Sequence, residues 1–124
     1  MSFFMGVVVK QYRLPKQTKL CKNRSFQAVY RSGKSYANKM AVLYVVPKTD
    51  GHRQIGFAAG KRLGSAVVRN RVKRLLREAY RLNQHKISQG VDLVLVGRQA
   101  MVEADLRAAA RAFLDLCRRA GILL

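Results

Sequence analysis

Acidic residues are scarce in this chain: six Asp and Glu stand against twenty-five Lys and Arg in 124 residues. The six are also dispersed. Asp50 sits in a turn sequence, Glu78 among arginines, Asp92 at the start of an apolar run, Glu103 and Asp105 near the start of an expected helix, and Asp115 late in it. Glu103 and Asp105 are two apart and so point to different sides of a helix. His52 and His85 are separated by a whole motif. No general acid–base pair or carboxylate metal cluster emerges from these positions, so no protein active site is expected. Cysteine is equally sparse. Cys21 and Cys117 lie far apart with no CxxC or Cys/His cluster, which argues against zinc and suits two idle or buried thiols in a reduced cytosol. The opening "MSFFMGVVV" is apolar from Phe3 to Val9, but it is too short to span a bilayer. No positive residue precedes it and no small-residue cleavage site follows, so a signal peptide is not expected. Residues 1–12 read as a flexible tail or short edge segment.

What is present is a core and an excess of positive charge. The length is that of one domain, residues 1–124, and 49% apolar content suffices to build a core. A disordered basic tail carries far less apolar sequence, so the charge belongs to a folded surface. The formal charge of +19 strains a compact fold by self-repulsion unless a polyanion neutralises it. Nucleic acid is the leading candidate.

Hydrophobic spacing places the elements. Phe26, Val29 and Tyr30 recur at helical spacing before Ser32-Gly33, predicting a short first helix over roughly Asn23 to Arg31. "KMAVLYVVP" reads as a strand, and Asp50-Gly51 after it reads as a hairpin turn into a return strand, "QIGFAAG". In that strand Ile55, Phe57 and Ala59 share one face, while Gly56, Ala58 and Gly60 share the other. "GVDLVLVGR" is an apolar run bounded by glycines, the pattern of a buried central strand. A last helix over about Val102 to Arg119 carries Leu106, Ala110, Phe113, Leu114 and Cys117 on one face. The predicted fold is α+β, a small sandwich of a mixed sheet covered by helices, in the order α-β-β-α-β-α.

Between the return strand and the apolar run lies "GKRLGSAVVRNRVKRLLREAYR", and it resolves into two faces. As a helix over Ala66 to Asn83, it gathers Val68, Val72, Leu75, Leu76, Ala79 and Tyr80 within about 140°, a core face. Asn70, Arg71, Lys73, Arg74, Arg77 and Arg81 occupy the remaining arc, with Arg69 at its margin. Only Glu78 interrupts the positive charge, and it can pair with Arg74 or Arg81. A solvated helix face normally mixes signs. Here one sign dominates and arginine is preferred, whose planar fork matches phosphate oxygens. A helix lying on anionic lipid needs a bulky apolar face free to insert, and this one's Val and Leu are wanted by the sheet, so no membrane partner is expected. DNA readout would need several base-reading side chains, and Asn70 alone is thin support, so no DNA partner is expected either.

The run Gly-x-Ala-x-x-Arg-Asn-Arg-x-Lys-Arg, from Gly64 to Arg74, resembles the signature of the protein subunit of bacterial ribonuclease P. "LPKQTKL", "SFQAVYRSGKSYAN", the strand pair, "DLVLVGR" and the closing helix follow that family's order from about Leu14 to Ala120. The resemblance implies a left-handed β-α-β crossover around the signature helix, against the usual right-handed rule. It also implies a division of labour: a catalytic RNA subunit cleaves the 5′ leader from precursor tRNA using Mg²⁺, while the protein, in the cytoplasm, binds that RNA and the leader. Lys61, Arg62, Arg69, Asn70, Arg71, Lys73, Arg74 and Arg77 would then face the RNA subunit. Phe26, Tyr30 and Tyr44 would line a cleft for the single-stranded leader, where stacking tolerates variable sequence. Phe26 and Tyr30, at i and i+4, equally have the spacing with which a helix docks on a sheet. A structural RNA-binding protein of the ribosomal type would share the size and charge, and the signature and aromatic positions separate the two.

Overall fold

A computed structural model describes Arg31, residues 33–47, Gly51 and residues 53–124. Its elements are β1 (Lys34–Ala37), β2 (Ala41–Pro47), β3 (Gln54–Ala59), α1 (Ala66–Asn83), β4 (Val91–Gly97) and α2 (Leu106–Ala120). The predicted first helix, the tail at 1–12, Cys21, Phe26, Tyr30, Asp50 and His52 lie outside the described residues, although Arg31, at the end of that helix, is helical.

The apolar run at 91–97 is central for a simple reason: it is apolar on both faces. Leu93 and Leu95 point to the helices and Val94 to the opposite side, and all three are buried. The four strands accordingly lie in the order β1-β2-β4-β3. This corrects the expected β2–β3 hairpin. The chain does turn near Gly51, whose φ is 77°, but β4 is inserted between the two strands, antiparallel to β2 and parallel to β3. A turn signal reports only that the chain reverses; β4, apolar on both faces, is suited to an inner place, whereas β3 carries Gly56 and Ala58 on its second face. The parallel neighbours β3 and β4 are joined through α1, so the β-α-β crossover is in place. A further difference is β1, which the sequence does not announce. Only Tyr36 of its four residues turns toward the core, and among the described residues it is an edge strand paired with β2 alone.

Both helices of the described residues lie on one face of the sheet. A single core joins Ala41, Leu43 and Val45 of β2, Ile55 of β3 and Leu93 and Leu95 of β4 to Val72, Leu76 and Tyr80 of α1 and Phe113 and Leu116 of α2. Local signals set the helix ends. Ser65 caps α1 by accepting from the Val68 N–H at 3.4 Å, preceded by Gly64 at φ 135°, a conformation side chains rarely adopt. Asp105 caps α2, its Oδ1 accepting from the Ala108 N–H at 2.9 Å. The last helix therefore begins at Leu106 and not at Val102, because a cap residue must itself be extended. Leu106, expected on the apolar stripe, is 37% exposed in consequence. Asn38 ties the β1–β2 turn to α2: its Oδ1 accepts from the Met40 and Ala41 N–H groups, both at 3.0 Å, while its Nδ2 donates to the Ala112 carbonyl at 3.1 Å and to Asp115 at 3.2 Å.

α1 approaches the end of β4 so closely that only glycine fits at 97. A Cβ there would lie 2.6 Å from Val72 Cγ1 and 3.5 Å from Leu76 Cδ1. Gly97→Ala is expected to cost about 1–3 kcal/mol in denaturant unfolding as helix and strand are forced apart. Gly60→Ala, where a Cβ meets nothing within 4 Å, should stay within about 0.5 kcal/mol of the parent.

Candidate nucleic-acid interface

The inner face of α1 is organised around Tyr80, which is fully buried. Phe57 of β3 meets its ring edge-on at 6.1 Å, and Phe113 of α2 does so at 5.9 Å. Such T-shaped contacts join strand, helix and helix at one ring. The fourth member is Arg53, only 5% exposed. Its Nε donates to the Tyr80 hydroxyl at 2.6 Å. Nη1 donates to the Ile87 carbonyl at 2.6 Å and the Ser88 carbonyl at 3.1 Å, and Nη2 to the Gln84 carbonyl at 3.0 Å. A buried cation is tolerable only when its donors are satisfied, and carbonyls just past a helix C-terminus, at the negative end of its dipole, are suited to the task. Burial pushes the Tyr80 phenol well above its ordinary range, with the Arg53 charge opposing. It pushes the Cys117 thiol up to about 12, again against Arg53. Cys117 is a core thiol, as its place on the apolar stripe implies.

With the inner face occupied, the cations of α1 are left outside. Asn70, Arg71 and Arg74 are exposed, and Arg69, Lys73 and Arg77 are half-buried along the flanks. Lys61 and Arg62 are exposed in the 3-10 turn Lys61–Leu63 immediately before the α1 cap, so they extend the same surface. Two of these side chains are held in place. Arg71 Nη2 donates to the Val102 carbonyl at 3.0 Å, and the Arg77 guanidinium lies 6.0 Å from the centre of the Phe57 ring. Burial lowers the Arg77 pKa, with the Arg74 charge adding and Glu78 opposing.

Arg81 departs from the helical-wheel expectation. It is buried, and its Nε and Nη2 donate to the two Glu78 oxygens at 2.8 and 2.7 Å. The wheel treats the helix as isolated, whereas the last turn of α1 runs into the 3-10 turn Gln84–Lys86, where Gln84 Nε2 donates to the Arg81 carbonyl at 3.1 Å. Of the two partners open to Glu78, the structure selects Arg81. Since Glu78 is the only acid on α1, its pairing leaves the exposed part of the helix positive.

Tyr44 belongs to a different surface. It lies on the sheet face turned away from both helices, half-buried beside Val46, Val94 and Val96. The sites expected for the RNA subunit are thus brought together along α1 and the turn before it, and Tyr44 is not among them. Phe26 and Tyr30 lie outside the described residues. Among the described residues no group of three or more His, Cys, Asp and Glu is placed to hold a metal ion, and no helix is long and apolar enough to cross a membrane. Arg53 is the residue that sequence reasoning passed over. It hides among so many surface cations that nothing in "DGHRQ" marks it as buried.

Known proteins are similar to this chain in sequence and fold. The sequence model of the Ribonuclease P family matches residues 14–121. A ribonuclease P protein component of Clostridium botulinum (strain 657 / Type Ba4) is 43% identical over 108 residues, covering 86% of this chain and 97% of the relative. One from Natranaerobius thermophilus is 44% identical over 104 residues, covering 84% and 90%. The solved RNase P protein of Staphylococcus aureus superposes with a TM-score of 0.77 at 27% identity, covering 86% of this chain and 98% of the other. That of Thermotoga maritima gives 0.74 at 27%, covering 82% and 96%. With the signature on the exposed side of α1 and the family's fold beneath it, this chain belongs to the ribonuclease P protein family.

Proposed function

We propose that this chain is the non-catalytic protein subunit of a ribonuclease P that removes the 5′ leader from precursor tRNA, holding the catalytic RNA subunit on the cationic side of α1. The observation that carries the reading is the division of α1 into a buried inner face and an outer face of one charge sign. Lys61, Arg62, Arg69, Asn70, Arg71, Lys73, Arg74 and Arg77 take the RNA subunit, chiefly through phosphate oxygens. Phe26, Tyr30 and Tyr44 take the single-stranded leader by stacking. The position of Tyr44 away from α1 supports two separate RNA surfaces, one for each ligand. Mg²⁺ is assigned to the RNA subunit, since a chain of charge +19 repels a divalent cation. A structural RNA-binding protein of the ribosomal type has no reason to carry the signature residues on the exposed side of this helix.

Reconstitution tests the assignment. Purified protein with labelled precursor tRNA and Mg²⁺ should give no product, and adding it to the RNA subunit at low Mg²⁺ should restore cleavage at the mature 5′ end. Metal-dependent cleavage by RNA-free protein would overturn it.

The phosphate contacts have their own signature. Replacing Arg71, Lys73 and Arg74 together by Gln should lower the slope of log K against log salt for RNA-subunit binding by about two units, each contact contributing about 0.7–0.9. Lys73 and Arg74 should be neutral for folding. Arg71→Gln forfeits its bond to the Val102 carbonyl, about 1 kcal/mol. An unchanged slope in the folded triple variant would place the RNA elsewhere on the protein.

A further inference from the structure

A cavity of about 260 Å³ opens between α1 and the turn leading into α2. Its walls are Leu75, Met101, Val102, Ala104 and Leu106, so the interior is apolar. Arg71 and Arg74, which also line it, are exposed and therefore stand at its solvent side. Sites for drug-sized ligands run to roughly 300–1,000 Å³, so this one suits a single small ring system. Apolar walls want a flat apolar face, and the two guanidinium groups want an anion beside it. A nucleotide combines the two.

The edge of the cavity is preorganised for such a ligand. The bond from Arg71 to the Val102 carbonyl fixes one guanidinium against the wall, with its other N–H groups unused by the described residues. Glu78, a third polar lining residue, is held by Arg81 through both oxygens. Each carboxylate oxygen keeps a second lone pair, which can accept from an exocyclic amine. An exocyclic amine offers two donors against the single N3–H of uracil, which favours adenine, cytosine or guanine.

We propose that this cavity receives one unstacked, amine-bearing base of the RNA bound along α1, with an adjoining phosphate on Arg71 and Arg74. The proposal rests on the RNA-binding reading of α1 and adds a base contact to its phosphate contacts. Splayed bases held between apolar side chains are a general means of gripping RNA that a duplex surface cannot offer.

Filling the cavity without touching charge separates the two kinds of contact. Ala104→Phe should weaken binding of the RNA subunit by at least about fivefold at every salt concentration, the low end of what a lost stacking partner costs. The salt slope should stay that of the parent, and so should the melting temperature. Unchanged affinity in a folded Ala104→Phe protein would overturn the proposal. If the parent itself bound the RNA subunit without salt dependence, it is the reading of α1 that would fall. Should Ala104→Phe prove unstable, the unaltered protein can be titrated with AMP and with inorganic phosphate while its methyl NMR signals are followed. AMP should shift the Leu75 and Leu106 methyls and phosphate should not; AMP leaving those methyls unmoved would overturn the proposal.

Discussion

Arg53 brings a positive charge into the interior where β3 begins, and the end of α1 is built to receive it. Its guanidinium joins the Tyr80 hydroxyl to the carbonyls of Gln84, Ile87 and Ser88, and so connects the strand, the helix and the turn that leads to β4. Tyr80 carries the connection onward to Phe57 and Phe113. The C-terminal chain is fastened to the same turn, with the Ser88 N–H donating to the Ile122 carbonyl at 2.8 Å and the Leu124 N–H to the Lys86 carbonyl at 2.8 Å. A desolvated cation that lost these acceptors would be costly, so the group specifies one arrangement of β3, α1 and β4.

That constraint fixes the rotation of α1 about its own axis, and the rotation decides which cations reach solvent. With Tyr80 inward, Asn70, Arg71 and Arg74 face out, with Lys73 on the flank. The close contact of Gly97 with Val72 acts near the other end of the same helix. Between them, a rigid rod carries charged side chains at set positions, which a flexible polybasic tract cannot do. The acids support this by being occupied elsewhere: Glu78 is held by Arg81, and Asp115 by Arg118 and Arg119 at 2.7 and 3.2 Å. The remaining excess is available to a polyanion.

Where hydrophobic periodicity was strong, the sequence was a good guide. The bounds of α1 and the central place of β4 follow from it, as does the α+β class. Strand order was not legible, because a local turn signal near Asp50-Gly51 cannot report that a strand forty residues later will enter between β2 and β3. Leu106 has apolar-stripe spacing but is exposed, because it is the first residue after the Asp105 cap and has no helical turn beneath it. Charge was the hardest to read. Arg53, Arg81 and Arg74 look alike in sequence, yet one is a core residue, one is a partner for Glu78 and one is exposed, and only tertiary acceptors distinguish them. Family resemblance named the cations of the α1 outer face, and it was silent on the cation that holds the helix in place.

If the buried Arg53 cation is the keystone of this fold, removing its charge must cost far more than an ordinary substitution. Arg53→Met keeps a long apolar stem and removes the guanidinium, taking its donors from the Tyr80 hydroxyl and from the Ile87 and Ser88 carbonyls, while the Gln84 carbonyl keeps the Ile87 N–H at 3.2 Å. Equilibrium unfolding in urea, compared with the parent at the same pH and salt, is the direct measurement. A loss of about 3 kcal/mol or more is expected, because several buried acceptors lose a charged donor at once and each group left unpaired costs about 1–3 kcal/mol. A midpoint within about 0.5 kcal/mol of the parent, the range of an ordinary surface change, would contradict it.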